Sequence, residues 1–261
     1  MDIEVRGLRK VYSSRGGEDV VALDGVTTSI RSGDFVTIIG PSGCGKSTLL
    51  DILAGLTAKT SGDVFYDGAP PTDDGRTSHI GVVFQKPVLL PWKTTMQNVL
   101  MPGELGREPP AKTRGEHLRS HASELLQLVG LDRFAEKYPW ELSGGMQQRA
   151  AIARALLLET EVMCMDEPFA ALDEFTREQM HLEFLRLWKQ QGFTTIFVTH
   201  NIFESAFLSD RVLVMTPRPG RIVAEVEIDL PRPRTRDMIG SSGFTTNVRR
   251  IRDAMTEHWA G

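Results

Sequence analysis

One nine-residue segment limits what this chain can fold into more than any other feature of the sequence. It follows the apolar run at residues 35–39 and consists of Gly40, Pro41, Ser42, Gly43, Cys44, Gly45, Lys46, Ser47 and Thr48. The apolar run predicts a buried strand and residues 48–53 predict a helix, so the glycines occupy a strand-to-helix turn. Such a turn points successive backbone N–H groups into one concavity, where they hold phosphate oxygens. The sequence therefore predicts a phosphate-binding loop.

Two side chains of this loop predict its ligands. Lys46 is expected to reach the β- and γ-phosphates of a nucleoside triphosphate, and the Ser47 hydroxyl is expected to bind Mg²⁺. The alternative is a glycine-rich turn that holds no ligand. Two further motifs supply the groups that the loop lacks, and they favour the nucleotide.

The first of these motifs is a pair of carboxylates after a buried strand. Four apolar residues, 162–165, precede Asp166 and Glu167. In nucleotide hydrolases such an aspartate holds the Mg²⁺ shell, and the following acid can take a proton from the attacking water. The alternative is a solvated strand end, but the phosphate loop in the same chain favours the catalytic interpretation.

The second motif is the string Leu142-Ser143-Gly144-Gly145-Met146-Gln147-Gln148-Arg149, which precedes helix-forming residues 150–158. A serine and two glycines at a helix start expose backbone N–H groups and the positive end of the helix dipole, which suit an anion. The alternative is an ordinary serine N-cap. That alternative explains a Ser-Gly-Gly in general, but not this eight-residue string shortly before two carboxylates.

Charge, cysteine count and hydrophobic patterning argue against several other classes of protein. The 261 residues carry a net charge of −4, which gives no reason to expect a nucleic-acid-binding surface. Only two cysteines are present, Cys44 and Cys164, so we expect buried thiols, not a disulfide or a zinc site. The N-terminus lacks the apolar region of a secretory signal, and no apolar run approaches the roughly 18 residues of a membrane span.

The order of strand and helix signals predicts an α/β fold. Apolar strands alternate with helices, which is typical of a mostly parallel sheet covered on both faces. Before the phosphate loop, residues 1–12, 20–23 and 26–30 are predicted as three separate strands. Between residues 86 and 158 strand signals vanish, so we predict a helical subdomain there, with helices at 96–105, 112–129 and 145–158. A proline-containing surface loop is predicted at 69–78.

The last 31 residues are predicted to be separate from the main domain. Pro231 and Pro233 cannot join a strand ladder, so residues 231–234 predict an extended linker. Residues 245–259 carry an apolar stripe suited to a docked helix. We therefore divide the chain into a domain at 1–230, which contains the helical subdomain, and a linker with a terminal helix at 231–261.

At this point the motifs resemble those of one family. The string from Leu142 to Arg149 resembles the signature motif of ATP-binding-cassette (ABC) proteins, and the resemblance covers about residues 3–230. The remaining motifs stand in that family's order: the phosphate loop, Gln85, Asp166 with Glu167, Asp173 and His200, with Tyr12 matching the aromatic residue that stacks on adenine. The resemblance implies a RecA-like P-loop NTPase core, an N-terminal antiparallel β portion and an inserted helical subdomain.

Several stretches are similar to the ATPases of nitrate, sulfonate and taurine importers in particular. They are residues 84–92, 138–142, 165–169 and 209–212. The chain departs from its relatives at Ala170, where glycine is frequent, and at Asn201, where aspartate is usual. Neither position holds a catalytic group.

The resemblance implies a head-to-tail homodimer that binds ATP and Mg²⁺. ATP at Lys46 of one subunit would be covered by the signature motif of the other, through Ser143, Gly144, Gly145 and Gln147. Glu167 would be the base or water-polarising residue, and Gln85 would sense Mg²⁺ and the γ-phosphate. His200 would contact the γ-phosphate, Asp173 would act across the dimer, and Ser47, Gln85 and Asp166 would hold the metal.

The resemblance also implies partners: transmembrane permease subunits at the cytoplasmic face of the cell membrane and, indirectly, an external solute-binding protein. Leu89, Leu90 and Trp92 are candidates for a groove that grips the permease, or they are core residues of the helical subdomain. Structural alternatives also exist for Tyr12 (an edge-strand aromatic), Gln85 (a strand-end amide) and His200 (a helix N-terminal histidine). The alternative function is a soluble ATP-driven clamp in DNA repair or translation, although the coiled-coil or zinc insertions usual in such proteins are missing.

Overall fold

The structure is a computed structural model, and it describes residues 1–13, 17–71, 80–104, 116–157 and 160–259. In these residues the strands are β1 (Ile3–Tyr12), β2 (Val20–Ile30), β3 (Phe35–Ile39), β4 (Ser61–Tyr66), β5 (Ile80–Val83), β6 (Val162–Asp166), β7 (Thr194–Thr199), β8 (Arg211–Met215) and β9 (Ile222–Glu227). The α-helices are α1 (Lys46–Leu53), α2 (Thr95–Glu104), α3 (Glu116–Leu128), α4 (Gly144–Leu156), α5 (Glu174–Gln191), α6 (Ile202–Leu208) and α7 (Ser242–Trp259). Most of the loop predicted at 69–78 lies outside the described residues, as do 105, 112–115 and 158 of the predicted helices.

A six-stranded sheet with the order β5-β6-β7-β3-β8-β9 forms the centre of the molecule. Five neighbouring strands of this sheet run parallel to one another: β5, β6, β7, β3 and β8. The last strand, β9, is antiparallel to β8. Every residue of β3 and β7 is buried, as expected of parallel strands covered on both faces. On one face, the ring of Phe35 packs against Phe184, Trp188 and Phe197 at centroid distances of 5.8–6.1 Å. This arrangement confirms the predicted fold class.

The N-terminal part of the chain forms a second, antiparallel sheet with the strand order β2-β1-β4. The two strands predicted at 20–23 and 26–30 are one strand, β2, so the prediction of a break was wrong. The pairing with β1 shifts register between Leu23 and Val26, where Gly25 has φ 74°. The strand therefore absorbs its glycine as a bulge and continues, because pairing with β1 resumes on both sides.

The helical segment consists of α2, α3 and α4, between β5 and β6. Its apolar faces contribute Val99, Leu125, Ile152 and other buried residues to the same hydrophobic cluster that covers one face of the central sheet. The helices therefore share a continuous core with the sheet. The boundaries given above for this subdomain stay a prediction.

The C-terminal segment is docked on the sheet. Helix α7 begins at Ser242, three residues before the predicted start, and its residues Phe244, Val248, Ile251 and Met255 are buried. Its last residue, Trp259, donates a hydrogen bond from Nε1 to the carbonyl oxygen of Met215 at the end of β8 (2.9 Å).

Residues 231–234 do not join a sheet, as predicted, but they are not a free linker. The Arg234 side chain is 1% exposed, and its guanidinium donates hydrogen bonds to the carbonyl oxygens of Ala206, Phe207 and Ser209 at distances of 2.9–3.2 Å. These carbonyls lie at the C-terminal end of α6, where no intrahelical donor remains for them. Burial lowers the pKa of Arg234 to about 10, so the guanidinium is still charged at neutral pH.

We expect Arg234→Ala to lower the free energy of unfolding by about 2–4 kcal/mol, because it leaves buried carbonyls without donors. Arg236→Ala is the matched control, since Arg236 is 60% exposed and pairs with Glu178 at the surface. That control should change stability by less than about 1 kcal/mol. Urea titrations of the two variants measure the difference, and equal effects would contradict the docking role.

Candidate functional site

The phosphate loop connects β3 to α1 in a backbone conformation that only glycine adopts easily. Gly43 and Gly45 have φ values of 74° and 110°. A Cβ atom added to Gly45 would lie 2.8 Å from the carbonyl oxygen of Ala22, and one added to Gly40 would lie 2.8 Å from Sγ of Cys44. Both conformation and space therefore require glycine at position 45.

Lys46 is the first residue of α1 and is 6% exposed. Its Nζ donates hydrogen bonds to the carbonyl oxygens of Gly40 (2.8 Å) and Pro41 (3.0 Å), so the lysine curls back over the loop. Ser42 and Ser47 lie exposed at the rim, whereas Cys44 is buried. Burial also raises the pKa of the Cys44 thiol, and both cysteines are free, as predicted.

A cavity of about 200 Å³ opens above this loop. Its lining comprises Tyr12, Val20, Ala22, Gly43, Gly45, Lys46, Ser47, Thr48 and Arg218. Tyr12 stands at the end of β1 with 44% of its surface exposed, and Nζ of Lys10 lies 4.7 Å from the centre of its ring. An aromatic face thus lies at the same opening as the phosphate loop.

Three predicted catalytic residues meet at the carboxyl end of the central sheet. Nε2 of Gln85 donates a hydrogen bond to Oε2 of Glu167 (3.2 Å), and Nδ1 of His200 lies 2.9 Å from Oε1 of the same carboxylate. The backbone of Glu167 has φ 44°, an uncommon conformation for a residue with a side chain, and its N–H is bonded to the carbonyl oxygen of Val198 (2.9 Å). The fold therefore holds this carboxylate in a specific position.

Asp166, the last residue of β6, adjoins the phosphate loop. Burial raises the pKa of its carboxyl group, a hydrogen bond from the Ser47 hydroxyl opposes that shift, and nearby Glu167 adds to it. In the part of the chain that the structure describes, no three His, Cys, Asp or Glu side chains are arranged to hold a metal ion. Hydroxyl and carboxylate oxygens nevertheless suit Mg²⁺, which usually takes one or two protein ligands beside substrate phosphates and water. The pair Ser47–Asp166 fits that requirement.

The signature motif forms the start of α4 and does not line the cavity above the phosphate loop of its own chain. Ser143 is the N-cap, with its side chain accepting a hydrogen bond from the N–H of Met146 (3.3 Å). Gly144 has open space where a side chain would be, whereas a Cβ on Gly145 would lie 3.1 Å from Leu172. The side chain of Gln147 bonds to two carbonyl oxygens of the preceding turn, those of residues 139 and 142.

Asp173 follows directly after the residue that contacts Gly145. It is the N-cap of α5, and its carboxylate accepts a hydrogen bond from the N–H of Thr176 (3.0 Å). That backbone hydrogen bond holds the pKa of the exposed Asp173 carboxyl below its usual value. The structure therefore brings Asp173 next to the signature motif, and leaves both apart from the cavity.

Sequence reasoning missed two residues at this site. Arg218 lines the cavity and bonds to the phosphate loop, and Gln148 of α4 donates a hydrogen bond from Nε2 to the carbonyl oxygen of Phe84 (3.0 Å). Gln148 is fully buried, so an unusual polar residue on the inner face of a predicted helix was the available signal. Arg218 lies in a turn between strands, and no local pattern distinguishes it.

Comparison with known proteins identifies the family of this chain. A family model described as ABC transporter matches residues 23–170. The taurine import ATP-binding protein TauB of Rhizobium johnstonii is 46% identical over 221 residues, which are 85% of this chain and 82% of that protein. The aliphatic sulfonates import ATP-binding protein SsuB of Bacillus cereus is 41% identical over 236 residues, which are 90% of each chain.

A solved structure has the same fold. It is the dimeric post-hydrolysis state of the ATP-binding cassette MJ0796 bound to ADP and Pi, which matches with a TM-score of 0.79 at 34% identity. The match covers 88% of this chain and 100% of that one. This chain therefore belongs to the ABC transporter family, as an ATP-binding subunit that hydrolyses ATP.

Proposed function

We propose that this chain drives an importer of a small anionic solute, working as a head-to-tail pair of subunits at the cytoplasmic face of the cell membrane. The observation that carries the ATP-driven part of the proposal is the carboxylate of Glu167, held by Gln85 and His200 beside the phosphate loop. The solute class rests on the relatives, which are named for the import of taurine and aliphatic sulfonates. In the described part of the chain, none of the helices combines the length and the apolar character that a membrane span requires.

The proposed pairing of subunits accounts for the signature motif. Ser143 and the N–H groups that begin α4 form a helix start suited to phosphate, yet they do not line the cavity of their own chain. A second copy, turned head to tail, would bring its signature motif to that cavity. Each ATP would then be enclosed only when two chains close, so closure and hydrolysis depend on each other. The solved structure of the ATP-binding cassette MJ0796 is itself dimeric.

The residues around Glu167 have distinct parts in the proposed reaction. The carboxylate would accept a proton from the attacking water, while Gln85 and His200 fix the direction in which its oxygens point. Lys46 and the loop N–H groups would bind the phosphates. Mg²⁺, held by Ser47 and Asp166 with Gln85 nearby, would supply positive charge to the phosphate oxygens when bound.

A hydrogen bond connects α4, the helix that the signature motif begins, with the residue before Gln85. Gln148 lies on α4, four residues after Gly144, and it holds the carbonyl of Phe84, the residue before Gln85. Movement of α4 would therefore shift the backbone that carries Gln85, and with it the contact to Glu167. We regard this bond as the link between closure and catalysis.

The proposed permease site is an apolar groove of about 430 Å³ that begins beside Gln85. Its walls include Phe84, Val88, Leu90, Met101 and Arg154. Val88 is 55% exposed and lies beside the other apolar side chains of the groove, and a contiguous apolar surface of this kind suits a partner that covers it. A short cytoplasmic segment of a permease is the occupant we propose, since it would contact the same loop that carries Gln85.

The three residues singled out for this groove in the sequence have different surroundings. Leu90 lines the groove, whereas Leu89 is half-buried against the main hydrophobic cluster, as the core alternative expected. Trp92 is 69% exposed and does not line the groove. We therefore assign the permease contact to Leu90 together with Val88.

Purification from native membranes tests the proposal. The chain is tagged, the membranes are solubilised gently, and the proteins that co-purify are identified. We expect a multi-span permease in stoichiometric amount, and we expect Val88→Glu to lose the permease while ATP binding stays unchanged. Recovery of the wild-type chain with ribosomes or nucleic acid and no permease would overturn the importer and favour a soluble clamp. Uptake of labelled taurine and alkanesulfonates by cells with and without this chain then tests the solute class.

A further inference from the structure

We infer that Arg218 is a second cation of the nucleotide site and binds the polyphosphate of ATP beside Lys46. The inference rests on the nucleotide site of the proposed function and adds a residue to it. Arg218 lines the cavity together with Tyr12, Lys46 and Thr48. It comes from the turn between β8 and β9, outside the motifs that identify the family.

The guanidinium of Arg218 lies directly over the phosphate loop. Its Nε and Nη2 donate hydrogen bonds to the carbonyl oxygen of Gly43, at 3.2 and 3.1 Å. A Cβ atom on Gly43 would lie 3.4 Å from Nη2. Arg218 therefore holds the backbone of the loop and faces the opening in which the phosphates would lie.

No acid in the described residues neutralises this arginine. The ion pairs found there include Arg221 with Asp24 and Arg211 with Asp34, but none for Arg218. Arg218 is exposed at the surface. A cation without a carboxylate, at the mouth of a phosphate site, is suited to an anionic ligand.

The turn that carries Arg218 is fixed on both sides, so its side chain is delivered to one place. Gly220 donates a backbone hydrogen bond to Ala22 (2.9 Å) and accepts one from Asp24 (3.1 Å). A Cβ on Gly220 would lie 2.2 Å from the carbonyl oxygen of Cys44, so the turn packs tightly against the loop. Thr216 closes the turn through a hydrogen bond from its hydroxyl to the carbonyl oxygen of Pro219 (2.9 Å).

The test compares ATP and ADP binding by the purified chain and its variants. Arg218→Gln keeps an N–H donor for Gly43 but removes the charge, and we expect it to raise the Kd for both nucleotides about tenfold. The KM of this variant for ATP should rise, while its kcat should stay within about twofold of the wild type. The reason is that the contact between Arg218 and the phosphates exists both before and during hydrolysis. Arg218→Lys should restore most of the affinity, and Arg249→Gln, an exposed arginine on α7, should have no effect.

The salt dependence separates a charge contact from a mechanical one. If Arg218 binds phosphate, Arg218→Gln should lose less ATP affinity than the wild type as the salt concentration rises. If Arg218 only supports the backbone of Gly43, the salt dependence of ATP affinity should be the same in both proteins. Arg218→Gln with wild-type Kd values, or equal losses in Arg218→Gln and Arg218→Lys with a lowered melting temperature, would overturn the inference. A wild-type chain that bound no ATP would contradict the nucleotide site itself, which is a different result.

Discussion

Glu167→Gln is expected to bind ATP normally and to hydrolyse it about 100- to 1000-fold more slowly than the wild type. The amide keeps the size of the side chain, so Gln85 and His200 can still contact it at the end of β6. It cannot take a proton from water, however, and the reaction loses its base. With hydrolysis blocked, ATP-bound chains should accumulate as dimers, which size-exclusion chromatography with Mg²⁺-ATP would detect.

The matched control is Glu257→Gln, which removes an exposed carboxylate from α7. This variant should hydrolyse ATP like the wild type and show no nucleotide-dependent dimer beyond the wild-type amount. Near-normal turnover by Glu167→Gln would remove Glu167 from the mechanism. Slow turnover without a dimer would retain the base and contradict the proposed pairing of two chains.

Lys46→Ala is expected to weaken ATP binding by about two orders of magnitude and to abolish measurable hydrolysis. Lys46 is 6% exposed and its Nζ is already bonded to two loop carbonyls, so the ammonium is preorganised for phosphate. The alanine variant loses both the charge and the bonds that shape the loop. Isothermal titration with ATP measures the affinity directly.

Lys59→Ala provides the control, because Lys59 is an exposed lysine that pairs with Asp63 at the surface. It should bind ATP with wild-type affinity. Circular dichroism of Lys46→Ala should show the wild-type helix content, since only the start of α1 is affected. Retained tight binding by a folded Lys46→Ala variant would contradict the role of the lysine.

The exact bounds of a central strand could be predicted from the sequence when turn residues stand on both sides of an apolar run. The bounds of β3, 35–39, and of β8, 211–215, are those expected from the sequence. The continuity of β2 could not be predicted, because the bulge at Gly25 is visible only in the pairing with β1. The docking of Arg234 likewise depends on free carbonyls at the end of another helix.

Local motifs in the sequence predict which residues belong to the candidate site, but they do not predict how these residues contact one another. The sequence indicates Gln85, Glu167 and His200, but nothing local says that two of them contact the carboxylate of the third. Arg218 was missed for the same reason, since its partner Gly43 lies 175 positions away in the chain. Contacts of this kind depend on the order of strands in the sheet, which alternating patterns do not encode.

That order of strands also has a consequence for how the chain is made. The strand that carries the phosphate loop, β3, is synthesised early, yet its two neighbours in the sheet are β7 and β8. Until these emerge from the ribosome, both edges of β3 are unpaired and its apolar faces lack their partners, which favours aggregation. The turn with Gly220 must follow before the loop gains its final support. A nascent chain therefore acquires its nucleotide cradle late, only after the turn that follows β8 has been synthesised.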